Sequence, residues 1–264
     1  EYANNRGKKL VEELNYDETK ISWTSSLISK ALKNEYINNE HIYALSFYRP
    51  FVKQITYRGV ALIHRIGQLK KLFPTSEHEN LLICMSSIGD NNSFSCLITD
   101  CIPDLHFIAT TQCFPLYWYE EEQETFESGG MDNMFGNCYI RHDGVTDWIL
   151  AAAHKQYGNN VTKEDVFYYV YGLLHSPGYR TTFANDLKKS LPRLPLVKSA
   201  DDFWTFSRAG RELAALHLNY ETIEPYRGCT VTYGAYANRG DAVNYRVEKI
   251  RFGKIDSKTA DKSI

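Results

Sequence analysis

No C-x-x-C pair, no apolar run approaching the ~18 residues of a membrane span, and no surplus of positive charge occur in this sequence. The six cysteines (Cys84, Cys96, Cys101, Cys113, Cys138, Cys229) are scattered, and none clusters with His at ligand-like spacing. That pattern excludes the common zinc frameworks and fits a reduced, cytoplasmic setting without a metal site. No signal peptide is present. A formal charge of -2 and a pI of about 6.5 give no global sign of nucleic-acid binding. Catalytic signatures are missing too. There is no G-x-x-x-x-G-K-[ST] phosphate loop, no G-x-G-x-x-G turn, no G-x-S-x-G elbow and no H-E-x-x-H metal helix. An Asn-Pro-Pro-Tyr segment of the kind that methylates adenine amino groups is also absent. The expectation is a chain with no catalytic centre of its own.

What is present is an ordinary globular composition. The 264 residues are 43% hydrophobic and 23% charged, enough to bury a sizeable core in one domain spanning 1–264. Aromatic residues make up 14%, led by 19 Tyr; their flat faces and polar tips serve cores and binding surfaces alike. The first residue is Glu1 rather than Met, so a piece of a longer chain is expected.

Periodicity divides the sequence into four stretches. Residues 1–40 form a helical lead-in, with Leu27, Ala31 and Leu32 at helical spacing. Residues 41–144 are mainly β. Pro50 interrupts the chain ahead of a strand over 52–57, and 81–85, 94–99, 105–109 and 113–119 are further strands. A polar loop covers 86–93, a turn covers 100–104, and the acidic, aperiodic stretch 120–143 is expected to be an exposed loop. Residues 145–220 are helical. Thr146 starts one helix that Gly158 stops, and Thr162 with Asp165 forms a capping box ahead of 163–175. In that second helix Val166, Phe167, Val170, Leu173 and Leu174 line one face. A third helix covers 179–190, and Ser199 with Asp202 repeats the cap ahead of a helix to about 218. The tail, 221–264, returns to β at 230–236 and 245–252. Mixed β-structure in the first half and tail, around a helical subregion, gives an α+β fold.

Charge is segregated along the chain. Arg49, Lys53, Arg58, Arg65, Lys70 and Lys71 fall between 41 and 76 with no Asp or Glu among them. Arg180, Lys188, Lys189, Arg193 and Lys198 fall between 178 and 198 against Asp186 alone, while Glu120, Glu121, Glu122, Glu124 and Glu127 gather elsewhere. Such segregation either gives a near-neutral protein one positive face or is plain solvated surface. His175 and His217 fall singly on helices and suit structural roles better than catalysis. Asp100 and Asp104 could pair as carboxylates, but a turn bonding its own backbone explains them more simply. His142-Asp143, placed in a loop beside Gly144, calls for the same reading.

A set of segments in fixed order is more specific. These are Tyr48-Arg49-Pro50-Phe51, Leu97-Ile98-Thr99-Asp100, Ile102-Pro103-Asp104-Leu105-His106-Phe107 and Gln112-Cys113-Phe114-Pro115-Leu116-Tyr117. Val145-Thr146-Asp147-Trp148, the run from Asp165 through Tyr171-Gly172-Leu173 to Pro177, and Tyr179-Arg180 follow. Leu191-Pro192-Arg193-Leu194-Pro195, Ala209-Gly210-Arg211-Glu212 and Leu216-His217-Leu218-Asn219-Tyr220-Glu221 complete the series. Over about 16–252 this series resembles the C-terminal specificity domain of the Type ISP restriction–modification enzymes, single-polypeptide relatives of Type I systems. The resemblance implies a target-recognition domain in a chain that also carries a nuclease, an ATP-driven translocase and an adenine methyltransferase. Those other parts would use ATP with magnesium and S-adenosylmethionine, with no cofactor in this stretch. Double-stranded DNA and the methyltransferase domain of the same polypeptide are the implied partners, and relatives continue beyond the Arg251-Phe252 strand.

In such a domain Lys and Arg hold phosphates while polar loop side chains choose the bases. Arg49, Lys53, Arg58, Arg65 and Lys70 are the first phosphate candidates, with Arg193 another; Arg49 could instead lock the turn at Pro50. Asp90, Asn91, Asn92 and Ser93 are candidate base readers, because Asn pairs bidentately with adenine; a plain hairpin turn is the alternative. The apolar run 167–174 suits the core or a face docked on the methyltransferase. Two rivals stand beside this reading: a protein-interaction module with DNA read elsewhere, and a small enzyme using His106, Asp104 or His175.

Overall fold

In β3 (Leu82–Ser86) the residues Leu82, Ile83, Cys84 and Met85 are all buried, and because side chains alternate along a strand they must feed two cores. The structure, a computed structural model, describes residues 43–58, 67–89, 93–122, 138–228 and 240. The chain divides into two compact units, Glu1–Thr222 and Ile223–Ile264, and nearly all described residues belong to the first. The remaining elements are β1 (Tyr43–Arg49), β2 (Val52–Tyr57), α1 (Leu69–Leu72), β4 (Cys96–Thr99), β5 (Ile102–Pro103), β6 (Thr111–Pro115), β7 (Tyr117–Glu121) and β8 (Tyr139–Asp143). The helices α2 (Asp147–Tyr157), α3 (Lys163–His175), α4 (Pro177–Thr182) and α5 (Ala200–Leu218) follow. One sheet has the order β4–β3–β6 and is antiparallel. A second, β2–β1–β5, joins an antiparallel to a parallel pair, and β7–β8 form an antiparallel ribbon. The fold is α+β.

Ile83 and Met85 pack with Ile98, Tyr169, Tyr171, Leu174 and Phe203 in the core shared with the helices. Leu82 and Cys84 face the other way, onto Phe47, Phe73 and Phe107. Asn80 links the layers. It is 4% exposed, and its Nδ2 donates to Leu72 O (2.9 Å) and Tyr117 O (2.7 Å) while its Oδ1 accepts from Leu81 N (2.8 Å) and Tyr117 N (3.1 Å). All four hydrogen-bonding sites of this buried amide are filled, as burial requires.

The helices begin where their caps place them. Thr146 accepts from Ile149 N, Thr162 and Asp165 make a reciprocal capping box, and Ser199 accepts from Asp201 N. Gly158, at φ 104°, ends α2 in a conformation that disfavours side chains. Helix α3 is buried on more than the one expected face: Tyr168, Tyr169 and Tyr171 join Val166, Phe167, Leu173 and Leu174, while Val170 is only partly covered. Contact with α5 on one side and β-structure on the other leaves little of it to solvent. Where α3 crosses α5 their backbones touch. A Cβ on Gly172 would lie 2.3 Å from Phe206 O, and one on Gly210 only 2.0 Å from Tyr168 O. Buried tyrosines pin the irregular segment between α4 and α5 through their hydroxyls. Tyr179 donates to Arg193 O (2.9 Å), Tyr169 to Pro195 O (2.5 Å) and Tyr157 to Val197 O (2.6 Å).

Five expected elements differ, the first being the turn over 100–104, whose centre is β5, paired in parallel with β1. Residues 105–109 are a turn rather than a strand: Asp104 Oδ1 accepts from His106 N, Phe107 N donates to Asp104 O, and the successive residues Phe107 and Ile108 enter the same core, whereas a strand would send them to opposite faces. The strand expected over 113–119 breaks at Leu116 into β6 and β7. The two ends of the expected acidic loop 120–143 pair instead as β7 and β8, so His142 and Asp143 lie on a strand. The helix expected over 179–190 starts earlier, at Pro177 with Ser176 as its cap, and ends at Thr182, beyond which only isolated turns reach Ser190. The lead-in helix and the tail strands fall outside the described residues. No helix among the described residues is long and apolar enough to cross a membrane.

Candidate nucleic-acid interface

The loop after β3 is held at both ends. Ser86 N donates to Ser95 O (3.0 Å), Ser95 N to Ser86 Oγ (3.2 Å), and Ser87 N to Thr110 O (2.8 Å). Gly89 N donates to Lys188 O at 3.1 Å. This last bond joins the candidate base-reading loop to the second basic segment, 99 positions on in sequence. Ser93 is exposed; Asp90, Asn91 and Asn92 fall outside the described residues.

Lys188, Lys189 and Arg193 are exposed on that segment, which Leu187 anchors in the core. Arg193 has its carbonyl fixed by Tyr179, and its side chain meets no acid among the described residues. Beside it Tyr179, Phe183, Asp186, Leu187 and Leu191 line a shallow cavity of about 330 Å³. The segment thus offers cations, two aromatic rings and one carboxylate, and it meets the loop at Lys188.

The first basic segment is largely engaged within the protein. Arg49 donates to Asp104 Oδ1 (2.9 Å) and to Tyr48 O (2.6 Å), and its guanidinium sits 4.0 Å from the centre of the Tyr48 ring. Those contacts brace the Pro50 turn, where Phe51 holds a positive φ of 57°. Lys53 pairs with Glu221 at 3.1 Å and lies over the Phe47 and Tyr220 rings; 17% of its side chain is exposed. Arg58 donates to Phe73 O, and burial lowers its pKa. Lys70 and Lys71 are exposed on α1, and Arg65 is outside the described residues. The stretch is acid-free in sequence only: Asp104 and Glu221 come to it from elsewhere in the fold.

His175 and His217 are built into packing, whereas His106 is exposed. His175 lies against Tyr171, Arg180 and His217, with ring centroids 4.7 Å from Tyr171 and 5.7 Å from His217. His217 Nδ1 shares a 2.6 Å hydrogen bond with the Tyr171 hydroxyl. Burial, then the nearby Arg180 and His217, push His175 from 6.5 down to about 4. His175 is therefore neutral in the fold, whereas the unfolded chain takes up a proton near 6.5. Stability is expected to be full above pH 6.5 and to fall as pH drops towards 4. Urea melts of wild type and His175→Gln between pH 7 and 4.5 check this: the two curves should converge as the pH falls, and parallel curves would remove His175 from the account. His106 Nδ1 lies 3.1 Å from Ala109 O, and Asp104 is taken up by Arg49 and its own turn.

The sequence model described as the Type ISP C-terminal specificity domain matches residues 1–263. The chain belongs to that family. Three solved structures are similar to this specificity domain. The DrdV–DNA complex has a TM-score of 0.68 and 29% identity over 85% of this chain. The Type ISP enzyme LlaBIII bound to DNA has a TM-score of 0.66 and 33% identity over 84%. A nuclease-deletion mutant of the Type ISP enzyme LlaGI with a DNA substrate mimic has a TM-score of 0.62 and 34% identity over 84%. The matches cover 21%, 14% and 18% of those longer chains respectively. No curated protein matches the sequence.

Proposed function

We propose that this specificity domain selects a DNA target, with loop 87–93 facing base edges and Lys188, Lys189 and Arg193 holding the flanking phosphates. The Gly89–Lys188 bond carries the assignment, because recognition needs base-reading and phosphate-holding groups side by side. The DNA or DNA mimic bound in all three similar structures supports it. Lys70 and Lys71 are further phosphate candidates, whereas Arg49, Lys53 and Arg58 serve the fold that carries the interface. The parent polypeptide would be an ATP-dependent restriction enzyme and adenine methyltransferase, with ATP, magnesium and S-adenosylmethionine bound by its other domains.

A second reading, docking on the methyltransferase of the same polypeptide, is favoured by the β1–β2 hairpin. There Tyr43 and Ile55 are 65% and 67% exposed, and Leu45 and Val52 are also open. Exchanging loop 87–93 in the full-length enzyme with that of a relative separates the two. Reading predicts a changed methylation site; an unchanged site at normal activity removes the loop and leaves docking.

A further inference from the structure

Cys84 in β3 and Cys113 in β6 are direct partners across the sheet, and their Sγ atoms lie 3.5 Å apart. Opposed antiparallel residues have Cα atoms about 4.5–5.5 Å apart, within the ~4.4–6.8 Å that a disulfide bridges. Bond formation asks the sulfurs to approach by about 1.5 Å, a distance that side-chain rotation can supply. The two thiols differ in access. Cys84 is fully buried. Cys113 is partly exposed and lines an open cavity of about 410 Å³ together with Ser46, Tyr57, Leu72, Asp104 and Thr111. The Cys84 thiol donating to Cys113 lowers the pKa of Cys113, while burial raises that of Cys84 well above the ordinary thiol range. The reachable sulfur is thus the one more readily ionised, and the inaccessible one stands directly behind it.

We infer that Cys84 and Cys113 are an oxidation site, at which hydrogen peroxide entering the cavity converts the pair to a disulfide. The Cys113 thiolate attacks one peroxide oxygen, the O–O bond breaks, and sulfenic acid and hydroxide form. The Cys84 sulfur then attacks the Cys113 sulfur, the S–O bond breaks, and the departing hydroxyl takes the Cys84 proton as water. Two thiols are oxidised, one peroxide is reduced, and two waters result once the hydroxide is protonated. The link would tie β3 to β6 at the foot of loop 87–93, where Ser87 N already bonds Thr110 O.

The test treats the folded 264-residue chain with hydrogen peroxide, quenches it in acid, alkylates the remaining thiols after denaturation and maps the peptides. The expected product joins the Cys84 and Cys113 peptides, is released by dithiothreitol, and leaves buried Cys96 and Cys101 alkylatable. In a Cys84→Ala variant Cys113 should proceed to sulfinic acid, having lost the thiol that resolves it. Wild-type Cys113 recovered as sulfinic or sulfonic acid with Cys84 free would overturn the assignment. So would oxidation of exposed Cys138 with both Cys84 and Cys113 unmodified. Peptide mapping of the wild type decides the matter even if the variant does not fold.

Discussion

Gly210→Ala should destabilise the domain by about 3 kcal/mol or more, although in an exposed helix the same change stabilises by about 1 kcal/mol. The sign is set by space. The new methyl would stand 2.0 Å from Tyr168 O and 2.8 Å from Gly172 N, and both are backbone atoms with no flexible side chain to move aside. Relief requires α3 and α5 to separate, which would open the core around Phe203 and Tyr171. Gly172→Ala meets Phe206 O in the same crossing and should behave alike. Because both changes act on one contact, the double variant should lose less than the sum of the singles. Urea denaturation of the isolated chain measures this; a Gly210→Ala protein as stable as wild type would mean that the helices do not cross so closely.

Replacing Lys188, Lys189 and Arg193 together by Ala in the full-length enzyme should weaken duplex binding for every sequence. If each side chain holds one phosphate, the slope of log K against log salt becomes shallower by roughly 0.9 per contact, or about 2.7 for the three. Site choice should survive, since phosphate contacts carry no direct sequence information. Ala at Asn91 and Asn92 should show the converse, with discrimination falling by ~1–3 kcal/mol for each bidentate base contact and the salt slope unchanged. Salt titrations of binding to cognate and unrelated duplexes separate the two cases. A triple variant with the wild-type slope would take the 188–193 segment out of the interface.

Local signals were legible wherever a short stretch decides its own structure. The Thr162–Asp165 box, the stop at Gly158 and the apolar run of β3 appear where residue type and spacing put them, because caps and alternation involve neighbours in the chain. The family resemblance likewise rests on ordered residues, and it already contained Gly172 and Gly210 without a reason for them. Residues 105–109 misled because Asp104 captures the backbone of its own turn, and that competes with a strand only once Phe107 and Ile108 have a core to enter.

The sequence by itself therefore determined the α+β class, the positions of the main helices, the absence of known catalytic signatures and membership of the specificity-domain family. Tertiary structure alone decided which charges are free. Arg49 and Lys53 look unopposed along the chain, yet Asp104 and Glu221 reach them from 55 and 168 residues away. Lys188 looks remote from loop 87–93 until Gly89 bonds its carbonyl. Electrostatic attraction and hydrogen bonding depend on distance through space, which linear spacing does not record.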